Sequence, residues 1–126
     1  MDKTTVKAVI DSDILIDFLQ GVHQAKREIQ QYSEKCISLI SWMEVLSGAG
    51  AEEEEKRTRA FLGQFRVLAI TIEIAEKAIQ FRRINRLKLP DALIWATAEM
   101  EGCILVTRNS RDFDPKHPGI RIPYRI

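Results

Sequence analysis

Five short apolar runs alternate with helical segments along this chain, and this alternation limits the possible folds more than any other feature. The runs are rich in β-branched residues and occupy residues 5–10, 36–40, 67–70, 104–106 and 120–122. Runs of this length, separated by helices and short connections, are typical of strands in a mainly parallel sheet. We therefore predict an α/β fold with a central sheet of about five strands and helices on both faces.

Six helices are predicted between these strands from the spacing of apolar residues and from end signals. Gly21 ends the first helix, Thr71 caps the fifth, and Pro90 begins the sixth. The third helix is predicted to begin at Ser41, and Ser41 and Glu44 have the spacing of a capping box, which is one possible role for Glu44. The predicted helices occupy residues 11–20, 23–32, 41–48, 51–65, 72–87 and 90–101.

Length and composition are those of an ordinary single domain. The chain has 126 residues, of which 45% are hydrophobic and 29% charged, so we expect one unit over residues 1–126 with a core of its own. No apolar run approaches the roughly 18 residues that cross a bilayer, so no membrane contact is expected. The first residues lack the basic and apolar regions of a secretion signal, which predicts a cytoplasmic protein.

Charge is balanced overall but unevenly distributed. The formal net charge is +1, and Glu52 to Glu55 form an acidic block that could receive a basic partner segment or simply face solvent. Basic residues precede two of the acids discussed below. They could guide a phosphate backbone, or they could be the solvated face of a helix. These basic residues are Arg82, Arg83, Arg86, Lys88, Arg108 and Arg111.

Four acidic residues lie where predicted strands meet helices or loops. Asp11 follows the first strand, Glu44 comes four residues after the second, and Asp112 lies in the loop after the fourth. Asp91 stands in the first turn of the helix before that fourth strand. Ligands bind outside the carboxyl ends of parallel strands, so we expect several of these acids to meet there. Taken singly, each could also be a helix cap, a dipole partner or a turn residue.

Gathering these acids would require a counterion. Two carboxylates about 4 Å apart repel each other by about 4 kcal/mol at an effective dielectric of about 20. Oxygen ligands without His or Cys favour a hard cation, Mg²⁺ or Mn²⁺, that also binds substrate phosphates. Carboxylate-held ions of this kind activate water for phosphodiester cleavage, which requires no nucleophilic side chain.

Four segments, in this order, resemble the motifs of the PIN-domain ribonucleases, and most closely those of the VapC-type toxins of prokaryotic toxin–antitoxin pairs. The segments are residues 9–16 (VIDSDILI), 42–45 (WMEV), 89–98 (LPDALIWATA) and 107–113 (TRNSRDF). The resemblance covers essentially the whole chain and implies one PIN domain. It also implies an Mg²⁺- or Mn²⁺-dependent endoribonuclease that forms a homodimer and is inhibited by a cognate VapB-type antitoxin.

The resemblance also implies roles for individual residues. Asp11, Glu44 and Asp91 match the metal ligands of the family, with Ser12 and Thr107 as supporting polar groups. Many relatives have Asp where this chain has Asn109, so the fourth catalytic acid is expected at Asp112, or acts through water. One metal ion or two is then possible. The departure at Asn109 also supports an alternative, a degenerate PIN-like module that binds RNA or a protein without cleaving.

Two further residues near these motifs have no role implied by the resemblance. Asp13 adds negative charge two residues after Asp11. Trp95 follows Asp91 by one helical turn, where it could wall the site or stack on a base, or could pack in the core or in a dimer interface.

Overall fold

A computed structural model describes residues 6–126 of the chain, so the start of the predicted first strand at Thr5 and of the predicted domain at Met1 lie outside the described residues. No helix in the described range is long and apolar enough to span a bilayer. The elements in order are β1 (Lys7–Ile10), α1 (Ser12–Leu19), α2 (His23–Gln30), β2 (Glu34–Ser38), α3 (Leu39–Ser47), α4 (Glu52–Leu62), β3 (Arg66–Leu68), α5 (Ile72–Asn85), α6 (Leu89–Glu101), β4 (Ile104–Val106) and β5 (Ile120–Arg121).

One parallel sheet confirms the predicted α/β fold. Its five strands, within the described residues, follow the order β3-β2-β1-β4-β5. The central strand β1 pairs with β2, where Val9 lies opposite Cys36, and with β4, where Val9 lies opposite Leu105. All four pairings are parallel, so the carboxyl ends of β1, β2 and β4 lie side by side at one edge.

Each face of the sheet is covered by helices, as predicted. Along β1, Ala8 and Ile10 belong to one core cluster while Val9 belongs to the other, which is the alternation of a strand buried on both faces. Residues of α1, α2 and α4 complete the first cluster, and residues of α5 and α6 complete the second. The helix residues concerned include Ile14, Leu15, Ala25, Ile29, Phe61 and Leu62 in the first, and Ile74, Ala78, Ile94 and Ala98 in the second.

The junction between β2 and α3 differs from the prediction. The Ser38 hydroxyl accepts a hydrogen bond of 3.1 Å from the backbone N–H of Ile40, and thereby caps α3. Strand β2 therefore ends two residues earlier than predicted, and Ser41 lies inside the helix, fully buried. The predicted start of the third helix at Ser41 was wrong, because the continuous apolar run concealed the change from strand to helix, and the alternative of a capping box between Ser41 and Glu44 is excluded with it. Glu44 is consequently free for another role.

Trp95 is part of the core. Its side chain is buried, and its ring stacks on Phe81 at 4.0 Å between centroids. The ring of Phe113 meets it edge-on at 5.8 Å. Both contacts bury aromatic surface between α5, α6 and the loop after β4. The structure thus supports core packing for Trp95 rather than an open surface for stacking on a base.

The short strand β5 is attached to α2 by an ion pair whose carboxylate is buried and whose guanidinium is half exposed. The Arg121 guanidinium donates hydrogen bonds of 2.6 and 3.0 Å to the Glu28 carboxylate, which is 5% exposed. The Tyr32 hydroxyl donates to the same carboxylate. Because two strand residues supply few ladder bonds, this pair fixes the edge strand against the rest of the domain.

Candidate active site

A depression of about 590 Å³ opens at the carboxyl edge of the sheet. Three elements that begin at this edge, α1, α3 and α6, present acids to it, and the loop after β4 closes its other side. The structure therefore brings together three of the four predicted acids. The lining residues include Asp11, Ser12, Asp13, Glu44, Asp91, Arg108, Asn109 and Arg111.

Asp11 is the most deeply buried of these acids. It is the N-cap of α1, and its carboxylate accepts hydrogen bonds of 2.7 Å from the Ser12 backbone N–H and 2.7 Å from the Thr107 hydroxyl. Both donors are uncharged, although the carboxyl is only 6% exposed. Burial, and secondly the charge of Asp13, raise the pKa of Asp11 to about 8. A cation at this position would relieve that cost.

Ser12 connects the first and third helices at the floor of the site. Its hydroxyl donates a hydrogen bond of 2.6 Å to Glu44 Oε1 and lies 2.9 Å from the Ser41 hydroxyl. All three side chains lie where α1 and α3 leave neighbouring strands. Ser12 therefore orients the Glu44 carboxylate, which agrees with its predicted supporting role.

Asp91 enters the site from the first turn of α6. The helix begins at Leu89, one residue earlier than predicted, and Pro90 occupies the first turn. Burial raises the pKa of Asp91, and the charges of Asp112 and Glu44 raise it further, whereas Lys88 opposes them. Asp91 thus experiences the charges of two acids that are distant in sequence, which the prediction of convergence requires.

The loop after β4 holds Asn109 and Asp112 in a tight turn. Asn109 Oδ1 accepts a hydrogen bond of 3.1 Å from the Asp112 backbone N–H, and its amide donates one of 3.0 Å to the Asp112 carboxylate. Asn109 N–H also donates to the Thr107 hydroxyl at 3.1 Å. Asn109 therefore organises the turn, and Asp112 does not line the depression, although its charge helps to raise the pKa of Asp91. Its role as fourth acid stays a prediction.

Asp13 has a contact that sequence spacing did not indicate. Its Oδ2 accepts a hydrogen bond of 3.1 Å from the backbone N–H of Arg108, and this contact ties α1 to the loop after β4. Its Oδ1 is buried and has no hydrogen-bond partner among the described residues. Burial raises the pKa of Asp13, as it does for Asp11.

Arg108 is committed to a buried acid. Its Nε and Nη2 donate hydrogen bonds of 2.7 and 3.0 Å to the Asp17 carboxylate, which is 5% exposed. The Tyr124 hydroxyl donates a third, of 2.8 Å. Although Arg108 borders the depression, its guanidinium is already paired, whereas Arg111 on the same rim forms no salt bridge within residues 6–126. The pairing argues against the predicted RNA contact for Arg108.

The donor atoms of the depression suit a hard divalent cation. Asp11, Glu44 and Asp91 offer carboxylate oxygens only, and the lining within the described residues contains no His or Cys. Among residues 6–126, no three His, Cys, Asp or Glu side chains lie close enough together to hold a metal ion as they are placed. Two features of the depression therefore favour a divalent cation. Its ligands are carboxylate oxygens, and only uncharged donors contact the buried carboxyl of Asp11.

The raised pKa of Asp11 predicts how metal-free stability depends on pH. The folded state holds this proton more tightly than the unfolded chain, so stability is greatest when the carboxyl is protonated. It should decline as the pH rises from about 4 to about 8, and Asp11→Asn should flatten the decline. The melting temperatures of wild type and of Asp11→Asn, measured in EDTA across this pH range, test both expectations. A wild-type profile parallel to that of the variant would contradict the prediction.

Comparison with known proteins identifies similar sequences and folds. The PIN domain family matches residues 8–115. Ribonuclease VapC10 from two strains of Mycobacterium tuberculosis is 32% identical over 126 residues, 94% of this chain and 93% of that protein. A toxin–antitoxin complex from Klebsiella pneumoniae contains a chain with 42% identity and a TM-score of 0.90, covering 95% of this chain and 100% of that one. A DNA-bound VapBC structure from Salmonella typhimurium has 28% identity and a TM-score of 0.73, with coverages of 92% and 96%.

Proposed function

Because the chain belongs to the PIN-domain family and is a VapC-type member of it, we propose that it is a metal-dependent endoribonuclease, the toxin of a type II toxin–antitoxin pair. The observation that carries this proposal is the convergence of Asp11, Glu44 and Asp91 on one depression. The relative with 32% identity is named a ribonuclease, and we propose the same activity for this chain because its depression contains the acids that such chemistry needs.

Each acid has a distinct structural support for holding Mg²⁺ or Mn²⁺. The Thr107 hydroxyl and the Ser12 N–H fix Asp11, the Ser12 hydroxyl fixes Glu44, and the first turn of α6 presents Asp91. When bound, such an ion activates a water molecule and stabilises the leaving oxygen of a phosphodiester. Asp112, whose charge helps to raise the pKa of Asp91, would be the fourth acid, with Asn109 holding its carboxylate in place.

Partners follow from the same family assignment. The similar structures are toxin–antitoxin complexes, and we propose a VapB-type antitoxin and a homodimer for this chain as well. The four acids of the first turn of α4 are exposed, and Glu54 also lines a depression of about 310 Å³ that shares Glu44 with the site. A basic antitoxin segment would meet complementary charge there. The expected location is the cytoplasm, where the RNA substrate is found.

Cleavage of RNA by purified protein tests the proposal. We expect breaks in single-stranded RNA with Mg²⁺ or Mn²⁺ and none in EDTA, with activity restored when the ion is added back. Sequencing the new RNA ends would show which bond is cut. Protein that folds and binds RNA but fails to cleave a broad RNA pool with either ion would contradict the proposal. The chain would then be a binding module that does not cleave, an alternative supported by the hydrogen bonds that hold Asn109 in the turn.

A further inference from the structure

The turn between α5 and α6 contains an arginine in a backbone conformation that favours glycine. Arg86 has φ 56° and ψ 36°, the left-handed region, at the C-cap of α5. Within residues 6–126 it alone among non-glycine residues has a positive φ. Glycine is the common choice at this position because it has no Cβ to clash. The strained position of a charged side chain is therefore a reason to ask what its charge contacts.

Arg86 is one of three cations around a shallow depression. This depression, of about 390 Å³, is lined by Arg82, Arg86 and Lys88, with Leu87 as the fourth residue. Arg82 Nη1 donates a hydrogen bond of 3.2 Å to the Leu87 carbonyl, which holds the turn in place. None of the three cations forms a salt bridge within the described residues. Their charges are therefore available to an anion.

The cationic depression lies at the start of α6, the helix that carries Asp91. Lys88 is the N-cap of α6, three residues before Asp91, and it is close enough to lower the pKa of that acid. Arg111 lies on the rim of the active-site depression. A phosphate bound at the turn would thus lie beside the helix end that presents Asp91.

We propose that the α5–α6 turn is a phosphate-binding site for single-stranded RNA, with Arg86 and Lys88 as its contacts and Arg82 as the residue that positions them. The inference rests on the proposed ribonuclease function. Compensation of the helix dipole explains Arg82 and Arg83, which lie in the last turn of α5. It extends to Arg86 at the C-cap, but it does not explain Lys88, which lies at the N-cap of α6, where the helix dipole disfavours a cation.

Salt-dependent binding of RNA tests the site without requiring cleavage. Anisotropy of a fluorescein-labelled single-stranded RNA would be measured in EDTA at several salt concentrations, for wild type, Arg86→Ala and Lys88→Ala. Removing one phosphate contact should reduce the slope of log K against log salt by about 0.7, which is about fivefold in affinity at 0.1 M salt. Arg83→Ala removes an equal charge from the same helix end outside the depression and should keep the wild-type slope.

The outcomes separate this inference from the proposed function. Arg86→Lys should restore the slope, and Arg86→Gly should melt no lower than wild type because glycine relieves the left-handed conformation. Slopes for Arg86→Ala and Lys88→Ala that match Arg83→Ala would overturn the phosphate site, even if the wild type cleaves RNA. Reduced slopes in a protein that never cleaves would support the phosphate site and refute the nuclease. Absence of RNA binding by the wild type would overturn the phosphate site.

Discussion

Asp91→Asn should abolish RNA cleavage while leaving the protein folded. We expect a loss of at least about 100-fold, because even changes around metal ligands cost 10- to 100-fold. The metal-free variant should melt higher than wild type, since burial and the charges of Asp112 and Glu44 raise the pKa of Asp91. At 100 times its dissociation constant, Mn²⁺ should stabilise wild type by about 2.7 kcal/mol and so raise its melting temperature, but it should have little effect on the variant.

Asp114→Asn is a matched control for this substitution. Asp114 is an exposed acid in the same loop as Asp112, and its carboxylate accepts a hydrogen bond of 2.9 Å from the Lys116 N–H, which Asn can also accept. Cleavage and the response to Mn²⁺ should stay at wild-type levels. If Asp91→Asn cleaves as well as this control, the metal site is wrong. If it melts lower without metal, Asp91 serves the dipole of α6 instead.

Asp17→Ala should cause a large loss of stability through the buried pair with Arg108. Removing one partner of a buried ion pair costs roughly 3–5 kcal/mol, because the other charge and its donors are left unpaired. Arg108 is 34% exposed and can partly rehydrate, so we expect the lower end of that range. About 3 kcal/mol corresponds to roughly 10 °C in a domain of this size, which denaturant and thermal unfolding would measure.

Glu55→Ala provides the comparison at the surface. Glu55 pairs with Arg59 at 3.1 Å, one helical turn away, but both side chains are more than half exposed. Such pairs contribute about 0.3–0.5 kcal/mol, so the variant should unfold close to wild type. Equal losses in the two variants would mean that the Asp17 contacts with Arg108 and Tyr124 add nothing beyond an ordinary surface pair.

The fold was largely predictable because its signals are local. Apolar runs mark the strands, and Gly21, Thr71 and Pro90 mark helix ends within a few residues of their positions in the structure. The boundary between β2 and α3 was predicted wrongly, because a continuous apolar run concealed the helix cap within it. The run from Cys36 to Ile40 continues through the cap at Ser38, so periodicity could not separate the end of β2 from the start of α3.

The candidate site was predictable in its acids but not in what surrounds them. Asp11, Glu44 and Asp91 follow from motif and strand order, and the structure places all three at one depression. The partner of Arg108 could not be predicted, because Asp17 lies 91 residues earlier and looks like the polar face of a short helix. Phosphate contacts were expected from charge alone, and only the backbone of Arg86 distinguishes one basic residue from its neighbours.

Contacts between the two ends of the chain determine when the site can form during synthesis. Thr107 reaches back 96 residues to position Asp11, and Tyr124 reaches back 107 residues to Asp17. A growing chain that has completed only α1 to α6 already contains Asp11, Glu44 and Asp91, but lacks the hydroxyl that orients the first of them. We expect the nascent polypeptide to remain inactive until Thr107 has emerged and β4 has paired with β1, so that the ribosome making it is not exposed to a premature nuclease.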